Sequence, residues 1–164
     1  MTLTTHTIIA AAVTKPLASI HPAFSFLAAL ASHYLSDAIP HWDYKLKSAA
    51  DDEDNEKRHW EFSRRTILGD LGRVTLDGFL GAALVFLLLS PATPNEWIRA
   101  ILIIIGGALP DFLEGLFYTR KLNFLSPVHH FHSFTHTKIK LGPYPLIGVP
   151  FQLLILFLAF YLLF

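Results

Sequence analysis

Apolar residues fall into five runs, separated by proline-bounded breaks and by one long polar stretch. Residues 4–13 place Ile8, Ile9, Ala10, Ala11, Ala12 and Val13 behind Thr4 and Thr5, either of which can cap a short helix. At 1.5 Å per residue such a helix is too short to cross a bilayer comfortably. Residues 22–39 predict a second helix, with Pro22 suited to its first turn and Pro40 ending it. A third is expected over 66–89, stopping at Ser90-Pro91. A fourth should run from Glu96 to about Leu109, where Gly106, Gly107 and Pro110 are expected to loosen or kink its end, with the apolar pattern continuing to Tyr118. Residues 143–164 carry no charge and are long enough to span, with Pro145 and Pro150 predicting an irregular start. Between the second and third runs, residues 41–66 are polar, and the acidic and basic run at 51–58 can only be solvated.

This pattern predicts an all-α protein: a polytopic membrane helical bundle of about five helices, forming one integral membrane domain over residues 1–164 with a charged cytoplasmic loop at 44–64. Composition agrees, since 52% of the residues are hydrophobic and only 16% charged. The formal net charge is zero, so bulk electrostatics do not point to nucleic acid. The absence of cysteine excludes disulfides, thiolate zinc sites and a cysteine nucleophile, leaving histidine and oxygen to hold any metal. The first residues read as lacking the basic region and cleavage site of a secretory signal. Basic residues cluster after the second run (Lys45, Lys47, Lys57, Arg58, Arg64, Arg65) and after the fourth (Arg120, Lys121, Lys138, Lys140). By the positive-inside rule both connections are cytoplasmic, which puts the N-terminus inside and the C-terminus outside after five passes.

The chemistry concentrates in residues 129–136, which hold four of the nine histidines in a polar connection. On a helix His132 and His136 share a face one turn apart, with His129 on the same stripe, and two such imidazoles can hold one divalent ion. His33 and Asp37 are also four apart, and His41 continues their side if the turn continues. Asp111 ends the fourth apolar run and His6 opens the first. The expected topology gathers all of these at the cytoplasmic membrane boundary. His6, His33, Asp37, Asp111, His132 and His136 are therefore the candidate metal ligands, with His41 and Asp43 next. Ionisable residues within membrane segments are costly and usually have a partner and a function. Asp70 and Asp77 are candidates for a general base or for orienting a ligand histidine. Plainer readings also apply: Asp70 as an acid favoured by a helix N-terminus, Arg73 with Asp77 as an intrahelical ion pair, Glu114 as a surface or supporting group, and His21 and His59 as solvated histidines.

His6 in Thr-Thr-His-Thr, Gly107-x-x-Pro-Asp111, His132-Ser-Phe-Thr-His136-Thr and His33-x-x-x-Asp37 resemble the motifs of the membrane-bound metal-dependent hydrolases. That family is also described as LexA-binding inner-membrane hydrolases and is similar to the zinc-dependent phospholipase C group. The order of motifs departs from the family, because His-x-x-x-Asp here precedes Pro-Asp. The resemblance implies an inner-membrane enzyme holding one or more divalent ions, zinc first and manganese, iron or magnesium as alternatives. It also implies hydrolysis, through a metal-activated water, of a phosphoester on a membrane lipid or other amphiphile. Two other classes fit the same residues: a divalent-metal transporter, and a non-catalytic membrane scaffold tied together by the ion.

Overall fold

The computed structural model describes residues 1–48 and 64–163. Most of the charged stretch expected at 44–64, including His59, lies outside the described residues. Among the described residues the chain forms α1 (Leu3–Thr14), α2 (Pro22–Asp37), α3 (Arg64–Leu89), α4 (Pro94–Arg120), α5 (Ser126–Thr135) and α6 (Pro145–Leu163), with no strand. Three segments among the described residues are long and apolar enough to cross a membrane: Thr66–Leu89 within α3, the whole of α4, and α6. At 12 and 16 residues, α1 and α2 extend about 18 and 24 Å, less than a hydrocarbon core of about 30 Å.

Two elements differ from the sequence-based expectation. The histidine stretch forms a helix, α5, opened by Pro127 in its first turn, where a polar connection was expected. The fourth helix does not end near Leu109; it continues through Pro110 to Arg120 and closes on Lys121 in the left-handed conformation. A capping box between Thr93 and Glu96 starts it.

The shortest of the four N-terminal helices is the centre of the bundle. α1 packs against α2, α3, α4 and α6, and Ile8, Ala10, Ala11 and Ala12 are buried among them. Small alanines let four neighbours approach, and the buried Thr5, His6 and Thr7 make the first turns of α1 polar. Glycines on the partners complete the fit. A Cβ on Gly81 would lie 2.9 Å from the Cα of Thr4, and one on Gly106 would lie 2.7 Å from the Phe26 carbonyl oxygen. Gly81 thus sets the α1–α3 crossing and Gly106 the α2–α4 crossing.

The outer surfaces of the long helices carry the residues that lipid would cover. Leu76 and Phe79 on α3 are 69% and 73% exposed, and Leu146 on α6 is 91% exposed. At one end of the bundle, Arg99 donates to the carbonyls of Leu17 (2.7 Å) and Ile20 (2.8 Å) and to Ser25 Oγ (2.9 Å), closing the α1–α2 turn. Lys15 Nζ donates to the Leu163 carbonyl at that end. The polar groups of the candidate site occupy the opposite end.

Candidate metal centre

The site is built where the start of α1, the end of α2, the last third of α4 and the whole of α5 meet. Each element delivers its side chain for a local reason. His6 sits in the first turns of α1, whose N-terminus is held by Asp77. Asp77 accepts hydrogen bonds from the backbone N–H groups of Leu3 (2.8 Å) and Thr4 (3.1 Å), and from Thr4 Oγ1 (2.7 Å) and Tyr44 (3.2 Å). His33 and Asp37, one turn apart on the last turns of α2, are both fully buried. Gly107 lies close against α1, and its carbonyl accepts from His33 Nδ1 at 2.8 Å. Pro110 has no N–H to donate to the preceding turn, and Asp111 follows it at the site's edge.

After α5 ends at Thr135, His136 adopts an extended conformation (φ −67°, ψ 135°), and the Thr137 N–H donates to the Asp37 carbonyl at 2.8 Å. The strand-like segment then bridges to His41 through Lys140. This break separates His132 from His136. His132 joins His33, Asp37 and Asp111, while His136 joins His41 on the other side of Asp37. In each group every residue offers one ligand atom within 4.8 Å of the others'.

Asp37 is the centre of both groups. Its Oδ2 lies 2.9 Å from His132 Nε2 and 3.1 Å from His33 Nε2. Its Oδ1 lies 3.1 Å from His6 Nε2 and 3.8 Å from His41 Nε2, with the Met1 amino group at 3.3 Å. Asp111 is placed in parallel: Oδ1 is 3.7 Å from His33 Nε2 and 3.8 Å from His132 Nε2, and Oδ2 is 4.0 Å from His6 Nε2.

Proton positions follow from the partners on the far side of each ring. His33 Nδ1 faces the Gly107 carbonyl and His41 Nδ1 the Ile39 carbonyl (2.7 Å), and a carbonyl can only accept. His6 Nδ1 faces Ser36 Oγ at 2.9 Å, and Ser36 gives its own proton to the His33 carbonyl. His132 Nδ1 lies 2.5 Å from Glu114 Oε2. His136 Nδ1 lies 3.3 Å from the Thr137 carbonyl. With the Nδ1 atoms committed as donors, the Nε2 atoms of His6, His33, His41 and His132 face the two aspartates as lone pairs or as added protons. Protonating all of them would pack imidazolium charges together, at a cost of about 4 kcal/mol per pair at 4 Å and an effective dielectric of 20. His6 and His33 are stacked with ring centroids only 3.9 Å apart. His6 Nε2 is buried and makes no hydrogen bond. This donor set fits a divalent ion: neutral imidazole nitrogens and carboxylate oxygens, with each ring oriented from behind.

Electrostatics divide the histidines outside the long helices. Burial lowers His41 to about 4 and lowers His136 as well, so both present neutral rings. Burial also acts to lower His132, but its contacts with Asp37 and Glu114 outweigh that and raise it to about 10. An ion bound at His132 therefore takes the place of a proton.

Asp70 and Asp77 lie away from this cluster. Asp77 caps α1, as described above. Asp70 accepts from the Ser48 backbone N–H at 2.6 Å and faces Arg73 at 3.8 Å, so Arg73 neighbours Asp70 rather than Asp77. Asp43 is about half exposed and lies 3.7 Å from the Met1 amine. His129 is buried against Phe117 and 3.6 Å from Glu114, while His130 is exposed. Sequence reasoning gave Ser36 no place behind the ligand histidines and left Glu114 between a surface and a supporting role. Glu114 stands three residues after Asp111, on the same helix face, and that spacing was the available signal.

Beside the cluster, a cleft of about 240 Å³ lies between α1, α3 and α6. Leu80, Leu153 and Leu156 line it together with Thr2, Thr5 and Gln152. Gln152 donates to Thr2 Oγ1 (3.0 Å) and Thr5 Oγ1 (2.7 Å), while its buried Oε1 has no partner. Thr5 and Trp42, both in the lining, are the chain neighbours of His6 and His41.

No protein-family model, curated protein or solved structure matches this chain.

Proposed function

We propose that this protein is a metal-dependent hydrolase of the inner membrane, with its site at the cytoplasmic boundary, acting on a phosphoester of a lipid or other amphiphile. The observation that carries the reading is the convergence of His33 Nε2, His132 Nε2, Asp37 Oδ2 and Asp111 Oδ1 on one point, with only one of the four accessible. His33, Asp37 and His132 have side chains 2% exposed or less, whereas Asp111 is 31% exposed. A purely structural site is closed on all sides, while a catalytic one keeps an open position. Asp111 marks that open side.

A divalent ion held here, zinc being the first choice for two imidazoles and two carboxylates, would supply a Lewis acid and hydroxide at neutral pH. The chain's own residues do the rest. Glu114 fixes the His132 ring, the Gly107 carbonyl fixes His33, and Asp111 would hold the ion on the side open to the phosphoester. The cleft next to His6 and His41 has leucine walls for an acyl or isoprenoid chain and hydroxyls near its polar head. The basic residues flanking α2 and α4 support the cytoplasmic placement.

The test is elemental analysis of detergent-purified protein, followed by incubation with phospholipid and isoprenoid-phosphate vesicles and mass-spectrometric detection of products. Stoichiometric metal and chelator-sensitive product release, abolished in Asp37→Ala, are expected. Protein that carries no metal, or turnover indifferent to Asp37→Ala, overturns the reading. Metal without turnover on any phosphoester would favour the scaffold instead.

A further inference from the structure

We propose that the site holds two divalent ions, with Asp37 shared between them, and that His41 and His136 with Asp37 Oδ1 hold the second. The inference rests on the metal-dependent reading above and deepens it.

The first group uses only one oxygen of Asp37. Oδ2 faces His33 and His132, and Oδ1 faces away, toward His6 Nε2 at 3.1 Å, His41 Nε2 at 3.8 Å and the Met1 amino group, which donates to it at 3.3 Å and which a second ion would displace. Asp37, His41 and His136 form their own set of converging ligand atoms. His41 is 3% exposed, and its Nδ1 donates to the Ile39 carbonyl, so its Nε2 is left free toward Asp37. The His136 ring stands 4.9 Å from that of His41 and has its Nδ1 turned to the Thr137 carbonyl. Two rings set this way, on opposite chain segments, each offer a ligand nitrogen within 4.8 Å of a ligand oxygen of Asp37.

The independent sign of a ligand is His6 Nε2, which is completely buried, has no hydrogen bond, and sits between Asp37 Oδ1 and Asp111 Oδ2. Its 3.1 Å approach to Asp37 Oδ1 brings it to the carboxylate oxygen assigned to the second ion. The local backbone serves the same arrangement. The end of α5 at Thr135 and the hydrogen bond from the Thr137 N–H to the Asp37 carbonyl turn His136 away from His132 and toward His41. Had α5 continued one turn, both histidines would face the first ion and the second would lack a ligand. Two imidazoles and a carboxylate suit zinc or manganese, leaving room for water or a phosphoryl oxygen.

The experiment is stoichiometry on the full chain in detergent, stripped with chelator and reloaded with Zn²⁺ alone or Mn²⁺ alone. The wild type should bind two equivalents. His41→Gln with His136→Gln should bind one, and the Mn²⁺ form of the wild type should show an exchange-coupled pair by electron paramagnetic resonance that the double variant lacks. If the double variant does not fold, the single variants His41→Gln and His136→Gln should each weaken the second binding step at least tenfold and leave the first unchanged. One equivalent in the wild type, or two in the double variant, overturns the proposal. A one-ion wild type that still hydrolyses lipid overturns this inference and leaves the hydrolase standing. Two ions without hydrolysis do the reverse.

Discussion

His33 Nε2 and His132 Nε2 face each other across 3.4 Å, although their rings belong to helices 99 residues apart in sequence. Each ring is held from behind, His33 by the Gly107 carbonyl and His132 by Glu114. No more than one of the two facing nitrogens can carry a proton without setting like charges side by side, and Asp37 Oδ2 lies against both. Such a cluster is stable when an ion occupies its centre, so metal removal should loosen the joint between α2, α4 and α5. An ion present at 100 times its dissociation constant adds about 2.7 kcal/mol to stability. For a domain of this size that corresponds to about 5–10 °C in Tm. Tryptophan-fluorescence melts with and without chelator, and after Zn²⁺ is restored, should show a reversible drop of this order. An unchanged melting temperature would mean that protons and the Met1 amine alone hold the cluster.

Glu114 should matter for metal affinity without touching the ion. Its Oε2 lies 2.5 Å from His132 Nδ1 and its Oε1 3.6 Å from His129, so it fixes the ring that must present Nε2 to Asp37. Groups in this position are worth about 10–100-fold in affinity. Competition against a chelator of known strength should show a loss in this range for Glu114→Ala and a smaller one for Glu114→Gln, whose amide oxygen still accepts. Equal affinity in all three proteins would reduce Glu114 to a packing role.

The sequence carried the helices more clearly than the way the histidines divide between them. Apolar runs and the prolines beside them located α3 and α6 within two residues, because both elements are apolar and exposed along most of their length. α5 was harder to read, since four histidines in eight positions look like a solvated connection unless their partners on α2 and α4 are known. Spacing alone placed His132 and His136 on one face. The end of α5 at Thr135 separates them, and the chain just beyond it is tied by the Thr137 N–H to the Asp37 carbonyl, 100 residues away. Gly106 and Gly107 read as helix breakers, yet they are contact points in an unbroken helix, because tertiary packing decides what a membrane glycine does. Asp70 and Asp77 read as candidates for a general base, and only the positions of Ser48 and of α1 show what each accepts from.

Asp77 should prove to be a positioning residue for α1. It receives the Leu3 and Thr4 backbone N–H groups and the Thr4 hydroxyl at the start of that helix, three and two residues before His6, and the Tyr44 hydroxyl besides. Asp77→Ala leaves those donors without their carboxylate, which costs about 1–3 kcal/mol for buried polar groups. Lower thermal stability is expected, together with weaker metal binding that a helix-restoring Asp77→Asn recovers in part. A general base would behave differently: Asp77→Asn would then lose turnover by orders of magnitude while melting and binding metal like the wild type. Measuring Tm, metal stoichiometry and product release on both variants separates the two roles.

Leu153 tests whether the cleft between α1, α3 and α6 takes the apolar part of the substrate. It lines the cleft and is 59% exposed, so a larger ring there can be accommodated without disturbing the core around Ile8 and Ala11. Leu153→Trp should narrow a space of about 240 Å³ while leaving the metal ligands in place. Hydrolysis of a long-chain lipid should fall at least tenfold, chiefly through KM, because each methylene kept from an apolar site forfeits about 0.8 kcal/mol. A short, water-soluble phosphoester with the same head would not enter the cleft, and its turnover should be unchanged. Equal losses on both substrates would point to damage at the metal centre, and no loss on either would mean that the lipid approaches from another side.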